Sequence, residues 1–204
     1  HMTASNVSHH LIKLDCLEQL MKYHDSPNEK MSVCLGEFIP DPVDCSCLIA
    51  RTSHIITAED SDYLVSNPTL VHVRPEFHEK IASTAEKLNI DPVSINHNQD
   101  IDFPSGIDKK YHCPVAEYYH NCLMGSFGSR VNFFRVTENG MKQVTWSIDS
   151  DETYDRQTLA YGKESQLILA RSRVLIVGGG GIGSKIATDF RLKGYGWIDM
   201  VDPD

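Results

Sequence analysis

Four consecutive glycines, Gly178 to Gly181, follow directly on Val174-Leu175-Ile176-Val177 and lead into Ile182 and Gly183. No other feature of the chain restricts its fold as much. The β-branched run predicts a strand over Arg173–Val177. Ile182, Ile186 and Phe190 then recur every four residues, the spacing of one helix face, and predict a helix to about Lys193 with Gly194 as its stop. Trp197–Val201 predicts a second strand, ending at Asp202. Gly178, Gly180 and Gly183 therefore fit G-x-G-x-x-G between a strand and a helix, the context the motif requires. Glycine permits the tight turn and lets backbone approach a phosphate closely. The helix start then offers unbonded N–H groups and a positive dipole end to the anion. Asp202, 19 residues past Gly183, falls where an acid meets ribose hydroxyls in such folds. The loop predicts a nucleotide site and leaves open whether a dinucleotide or ATP fills it.

The remainder of the chain must supply a core of its own. Its 204 residues suit one domain or two, and 41% are hydrophobic, within the globular range once 13 glycines are added. No apolar stretch approaches the length of a membrane span, and no charged-then-apolar leader opens the chain. The net charge of −9 argues against nucleic acid as the main partner, because phosphate binding needs a basic surface. That charge is uneven: residues 151–204 hold 8 acids and 7 bases, so nearly all the excess lies before them, as two units would produce. Six scattered cysteines make no disulfide framework and point to a reducing, cytoplasmic setting.

Periodicity gives the first unit a mixed α/β character. Leu11, Leu14, Leu17 and Met21 form one stripe and predict a helix over His10–His24. Strands are expected over Met31–Phe38, Cys47–Ala50, Leu70–Val73 and Val93–Ile95, with residues 52–69 irregular. Pro75 opens a helix striped by Phe77, Ile81, Ala85 and Leu88. Val115–Met124 reads as helical. Val131–Val136 and Gln143–Ile148 read as a hairpin joined at Glu138-Asn139-Gly140. Asp149-Ser150-Asp151-Glu152 reads as a solvated acidic linker, and Gln157–Ala170 as a helix after it.

Two resemblances sharpen this. Tyr154-Asp155-Arg156-Gln157, the strand and glycine loop, and Val201-Asp202-Pro203-Asp204 together resemble the ThiF/MoeB and ubiquitin-activating-enzyme superfamily over about 50 residues. The resemblance implies ATP and Mg2+, with adenylation of the C-terminal carboxylate of a ubiquitin-like protein or peptide, usually by a dimer. By it, Gly178, Gly180, Gly181 and Gly183 cradle the phosphates, Asp202 or Asp204 holds the ribose, and Arg156 reaches the phosphates. The family's later motifs lie beyond Asp204, so this sequence is expected to be the first part of a longer protein and inactive by itself.

The second resemblance rests on His97, seven further residues and Ser105-Gly106-Ile107-Asp108. This is similar to the His-x-His, seven residues, Ser-x-x-Asp motif of JAB/MPN (JAMM) metalloproteases, with Glu29 ahead of the first long strand. The resemblance implies zinc on His97 and Asp108, Glu29 as base and Ser105 as oxyanion donor. Ile95 stands where the motif's first histidine belongs, and His112 is the candidate third ligand. The expected architecture is therefore α/β: a degenerate JAB/MPN-like (cytidine-deaminase-like) domain over 9–148, a linker over 149–153, and the first β-α-β unit of a Rossmann-like ThiF fold over 154–204. The expected function is ATP-dependent adenylation, with the first domain recognising the ubiquitin-like partner. A JAMM-type zinc isopeptidase and a NAD-binding oxidoreductase are the alternatives.

Overall fold

The computed structural model of the chain describes residues 6–98, 104–149, 157 and 160–203. The chain runs β1 (Val7–Lys13), α1 (Leu14–His24), β2 (Met31–Pro40), β3 (Leu48–Thr57), a 3-10 turn (Asp60–Asp62), β4 (Tyr63–Asn67), β5 (Leu70–Val73), α2 (Pro75–Leu88) and β6 (Asp91–Asn98). It continues through α3 (Gly106–His112), a 3-10 stretch (Cys113–Tyr118), β7 (Leu123–Phe127), β8 (Val131–Thr137) and β9 (Gly140–Asp149). It ends with α4 (Lys163–Arg171), β10 (Arg173–Val177), α5 (Gly181–Leu192) and β11 (Trp197–Val201). The mixed α/β class is as expected. The expectations for Arg156, Asp204 and residues 150–153 fall outside the described residues.

Seven strands close into a barrel in the order β1-β3-β2-β6-β7-β8-β9. Closure depends on β1, which pairs in parallel with both β3 and β9. Here the expected helix from His10 is corrected: residues 10–13 are strand, and α1 starts at Leu14. One further helical turn would leave both neighbours of β1 with open edges, and closing the barrel removes them. The apolar stripe of α1 rotates as a result. Cys16, Leu17 and Leu20 are buried, whereas Leu14 and Met21 are about half exposed.

Successive residues of β2 point to opposite sides, as a pleated strand requires. Cys34 joins the cluster that holds Leu17 and Leu20 of α1. Val33 and Leu35 join the cluster that holds Phe77 and Ile81 of α2. Burying a side chain such as Phe77 in full contributes about 1.5–3 kcal/mol, so α2 is held mainly by two residues.

Three further expectations are corrected. Residues 52–57, expected to be irregular, extend β3, because Thr52 faces inward and bonds to His10 there. The helix expected over Val115–Met124 is a 3-10 stretch followed by β7. Pro114 has no N–H for a helical ladder, and Leu123–Phe127 is buried along its whole length between β6 and β8. Asp149, expected to open a solvated linker, ends β9 and takes a 2.6 Å bond from Arg51 Nε.

The β10-α5-β11 segment forms a separate two-stranded parallel sheet, in register from Arg173 opposite Trp197 to Val177 opposite Val201. Ala170 of α4 packs with Leu11 and Ile49 of the barrel. Arg171 pairs with the buried Asp41, and Trp146 of β9 meets Trp197 edge to face at 5.9 Å. Gly196 is required at this seam, because a Cβ there would lie 1.6 Å from the Ala170 carbonyl oxygen. Leu175, Val177 and Val201 remain more than half exposed.

Candidate functional site

The glycine loop has the geometry its sequence demands. Gly178 leaves β10 at φ +98°, a conformation that favours glycine. Its N–H donates to Val201 O at 2.7 Å, tying the loop's start to the end of β11. Gly179 N–H donates to Asp202 Oδ2 at 2.6 Å. Gly180 is the N-cap of α5, and no side chain caps that helix. Gly183 sits in the first turn, where a Cβ would lie 1.8 Å from the Gly178 carbonyl oxygen. The third glycine is thus fixed by the close return of the helix onto the strand's exit. Among the described residues, an added Cβ at Gly178, Gly180 or Gly181 would meet nothing within 4 Å, so this side of the loop is open to them.

Uncapped first-turn amides, a carboxylate at the tip of β11 and open space between them suit an anion carrying a sugar. Asp202 does more than the sequence suggested, since one oxygen already braces the loop. Ser184 was missed altogether. Its hydroxyl donates to the Gly179 carbonyl, closing the loop from the helix side. The only hint in the sequence was a small polar residue immediately after the motif. The 12-residue α5 is long enough for its dipole to matter at this end.

The second cluster is brought together only in part. His97 lies in β6 opposite Met31 of β2, so Glu29 sits just before the same end of that strand pair. The Glu29 backbone is held by Asn67 and Ser66, each at 2.8 Å. His97 Nε2 is 3.8 Å from Asp108 Oδ1 and, among the described residues, has no hydrogen-bond partner. Ser105 is the N-cap of α3. Its hydroxyl oxygen accepts from Asp108 N–H at 3.1 Å, and Asp108 Oδ2 accepts from Ser105 N–H at 2.7 Å. His112 Nδ1 is bonded to the Tyr119 hydroxyl at 2.5 Å. Burial depresses the pKa of both histidines, and the Asp108 carboxylate opposes that shift. Among the described residues no group of three or more His, Cys, Asp or Glu side chains is arranged to hold a metal ion. The cap and the tyrosine bond engage Asp108 Oδ2 and His112 Nδ1, while Asp108 Oδ1 faces His97 Nε2.

Sequence reading also missed a polar seam in the barrel. His9 bonds Thr145 and Ser147, each at 2.7 Å; His10 bonds Thr52 at 2.7 Å; His24 bonds Ser32 at 2.8 Å. Asn98 receives Lys30 N–H at 2.5 Å and donates to the carbonyls of Ser26 and Asn28. No local pattern in the sequence marks a buried polar chain of this kind.

Residues 154–204 match the model of the ThiF family. The glycine loop, α5 and the strand end at Asp202 all lie in this matched segment. A curated relative, the adenylyltransferase and sulfurtransferase UBA4 of Candida albicans (strain SC5314 / ATCC MYA-2876), is 40% identical over 62 residues. That match covers 29% of this chain and 14% of the relative, so the chain spans only a small part of that protein's length. Among solved structures, protein DSY2949 from Desulfitobacterium hafniense superposes with a TM-score of 0.53 at 11% identity. The superposition covers 69% of this chain and 92% of that one, and at this identity it speaks to the fold alone. Among the described residues, no helix is long and apolar enough to cross a membrane.

Proposed function

We propose that this chain is the first part of an ATP-dependent adenylyltransferase that activates the C-terminus of a ubiquitin-like protein or peptide. The observation that carries the reading is the braced glycine loop at the start of α5, inside the ThiF-type segment. In this reading the backbone of Gly178, Gly180, Gly181 and Gly183 receives the phosphates of ATP. Asp202, which also braces Gly179, holds the ribose, alone or with Asp204. Arg156 adds a cation from the segment before α4.

Adenylation joins a carboxylate oxygen to the α-phosphorus and releases pyrophosphate, with Mg2+ screening the phosphate charge. The chain's own contribution is preorganisation. Fixed amide dipoles meet developing negative charge without having to reorient. The whole protein is read as a homodimer, with 9–148 as a JAB/MPN-like domain that recognises the partner, 149–153 as linker and 154–204 as the start of the adenylation domain. Its setting is read as cytoplasmic.

Isothermal titration of the protein with ATP and with NAD tests this reading. Preference for ATP, abolished by Gly183→Val, is expected. Preference for NAD would replace adenylation with an oxidoreductase.

A further inference from the structure

Lys185 sits where folding alone gives its charge little to do. It lies in α5, two residues past Gly183, and is exposed. Among the described residues it makes no ion pair. A cation near the start of a helix gains nothing from the helix dipole, whose positive end is there. Lys193, by contrast, caps the far end of α5, where a cation is favourable. Asp189, four residues after Lys185, is the carboxylate within reach on the same helix face. A lysine placed ahead of its acid is the weaker order for such a pair.

Helix geometry fixes the position of Lys185 relative to the glycine loop. Residues four apart share a helix face, and each Cα–Cβ bond leans toward the helix start. Lys185 therefore stands one turn beyond Gly181, with its Cβ directed back toward that residue. Four residues rise about 6 Å, which an extended lysine side chain can span. Among the described residues, an added Cβ at Gly181 would meet nothing within 4 Å, so the space that Lys185 overlooks is clear of them.

We propose that Lys185 binds the outer phosphates of the nucleotide and makes the site selective for a triphosphate. The proposal rests on the adenylation reading, which puts the ribose at Asp202. Asp202 holds Gly179, so the phosphate chain starts at that end of the loop and runs past Gly180 toward Gly181. The first phosphate meets the loop amides, and later ones come within reach of Lys185. An ammonium is a compact charge with three donors, able to follow a terminal phosphate without a fixed geometry. A lysine at the start of a helix behind a glycine-rich loop uses the same chemistry on outer phosphates elsewhere. A monophosphate ends short of Lys185. The pyrophosphate of a dinucleotide is closed by a sugar at each end and offers no terminal phosphate.

The test is isothermal titration of the full chain with ATP and with AMP at about 50 mM salt, where screening is modest. Lys185→Met should weaken ATP binding about tenfold and AMP binding less than about twofold. Lys185→Arg, which keeps the charge, should retain most of the ATP affinity. Lys193→Met removes the same charge from the other end of α5, at an exposed position, and should leave both affinities unchanged. Circular dichroism checks that each variant melts like the unaltered protein, and Lys185→Gln replaces Lys185→Met if the latter does not. Equal ATP affinity with and without Lys185, an equal loss for ATP and AMP, or an equal loss in Lys193→Met overturns the proposal and leaves the adenylation reading standing. Absence of ATP binding by the unaltered protein overturns both.

Discussion

Mild acid should unfold the barrel, and three histidines make the expected size unusual. Burial lowers the pKa of His9 to about 4, with Arg171 adding to the effect and Asp41 opposing it. Burial lowers His10 to about 3, with His9 adding to it. Burial likewise lowers His24 to about 3 against a raising contribution from Asn98. In the unfolded chain each returns to about 6.5. Because the folded values are depressed, the unfolded state binds more protons, and stability is lost as pH falls below about 6.5 toward the folded values. At pH 5 each group costs about 2 kcal/mol, using ~1.4 kcal/mol per pKa unit. The three together approach about 6 kcal/mol, which is comparable to the whole stability of an ordinary domain at about 5–15 kcal/mol. Burial depresses His97 and His112 in the same direction and adds to the loss. Urea unfolding followed by tryptophan fluorescence at pH 7, 6 and 5 measures this. His24→Gln, which keeps a polar group beside Ser32 but cannot titrate, should remove about a third of the three-histidine loss. A urea midpoint that is the same at pH 7 and pH 5 would refute the argument.

Other perturbations separate folding from binding. Gly183→Ala should disturb both, because its Cβ overlaps the Gly178 carbonyl. A loss of about 1–3 kcal/mol in urea unfolding is expected together with loss of ATP binding. Gly180→Ala meets no protein atom and has φ −57°, so the melting temperature should hold while ATP affinity falls; a variant that binds ATP normally would show that phosphates do not pass there. Arg171→Ala leaves the buried Asp41 without its cation. The expected cost is about 2–3 kcal/mol, below the 3–5 typical of a broken buried pair, because Ser8 Oγ and the amides of Val43 and Asp44 still hold the carboxylate. Calorimetry of that variant beside Asp41→Asn, Arg171→Met should show partial recovery in the double change.

The sequence alone was enough for the β10-α5-β11 unit and its loop. The φ of Gly178, the close return of Gly183 and the uncapped start of α5 are local properties, set within a few residues of one another and fixed by residue type. The α2 helix and the β8–β9 hairpin were legible for the same reason. What only the tertiary structure decided is how the first unit closes. β1 reads as the start of a helix until β3 and β9 flank it, and His9 finds Thr145 a full 136 positions away. A buried strand such as Leu123–Phe127 has no period to betray it, because both of its faces are covered. The pairing of Arg171 with Asp41 arises from docking one unit on another. Local sequence encodes backbone preference, whereas contacts between distant segments depend on which surfaces the whole chain brings together.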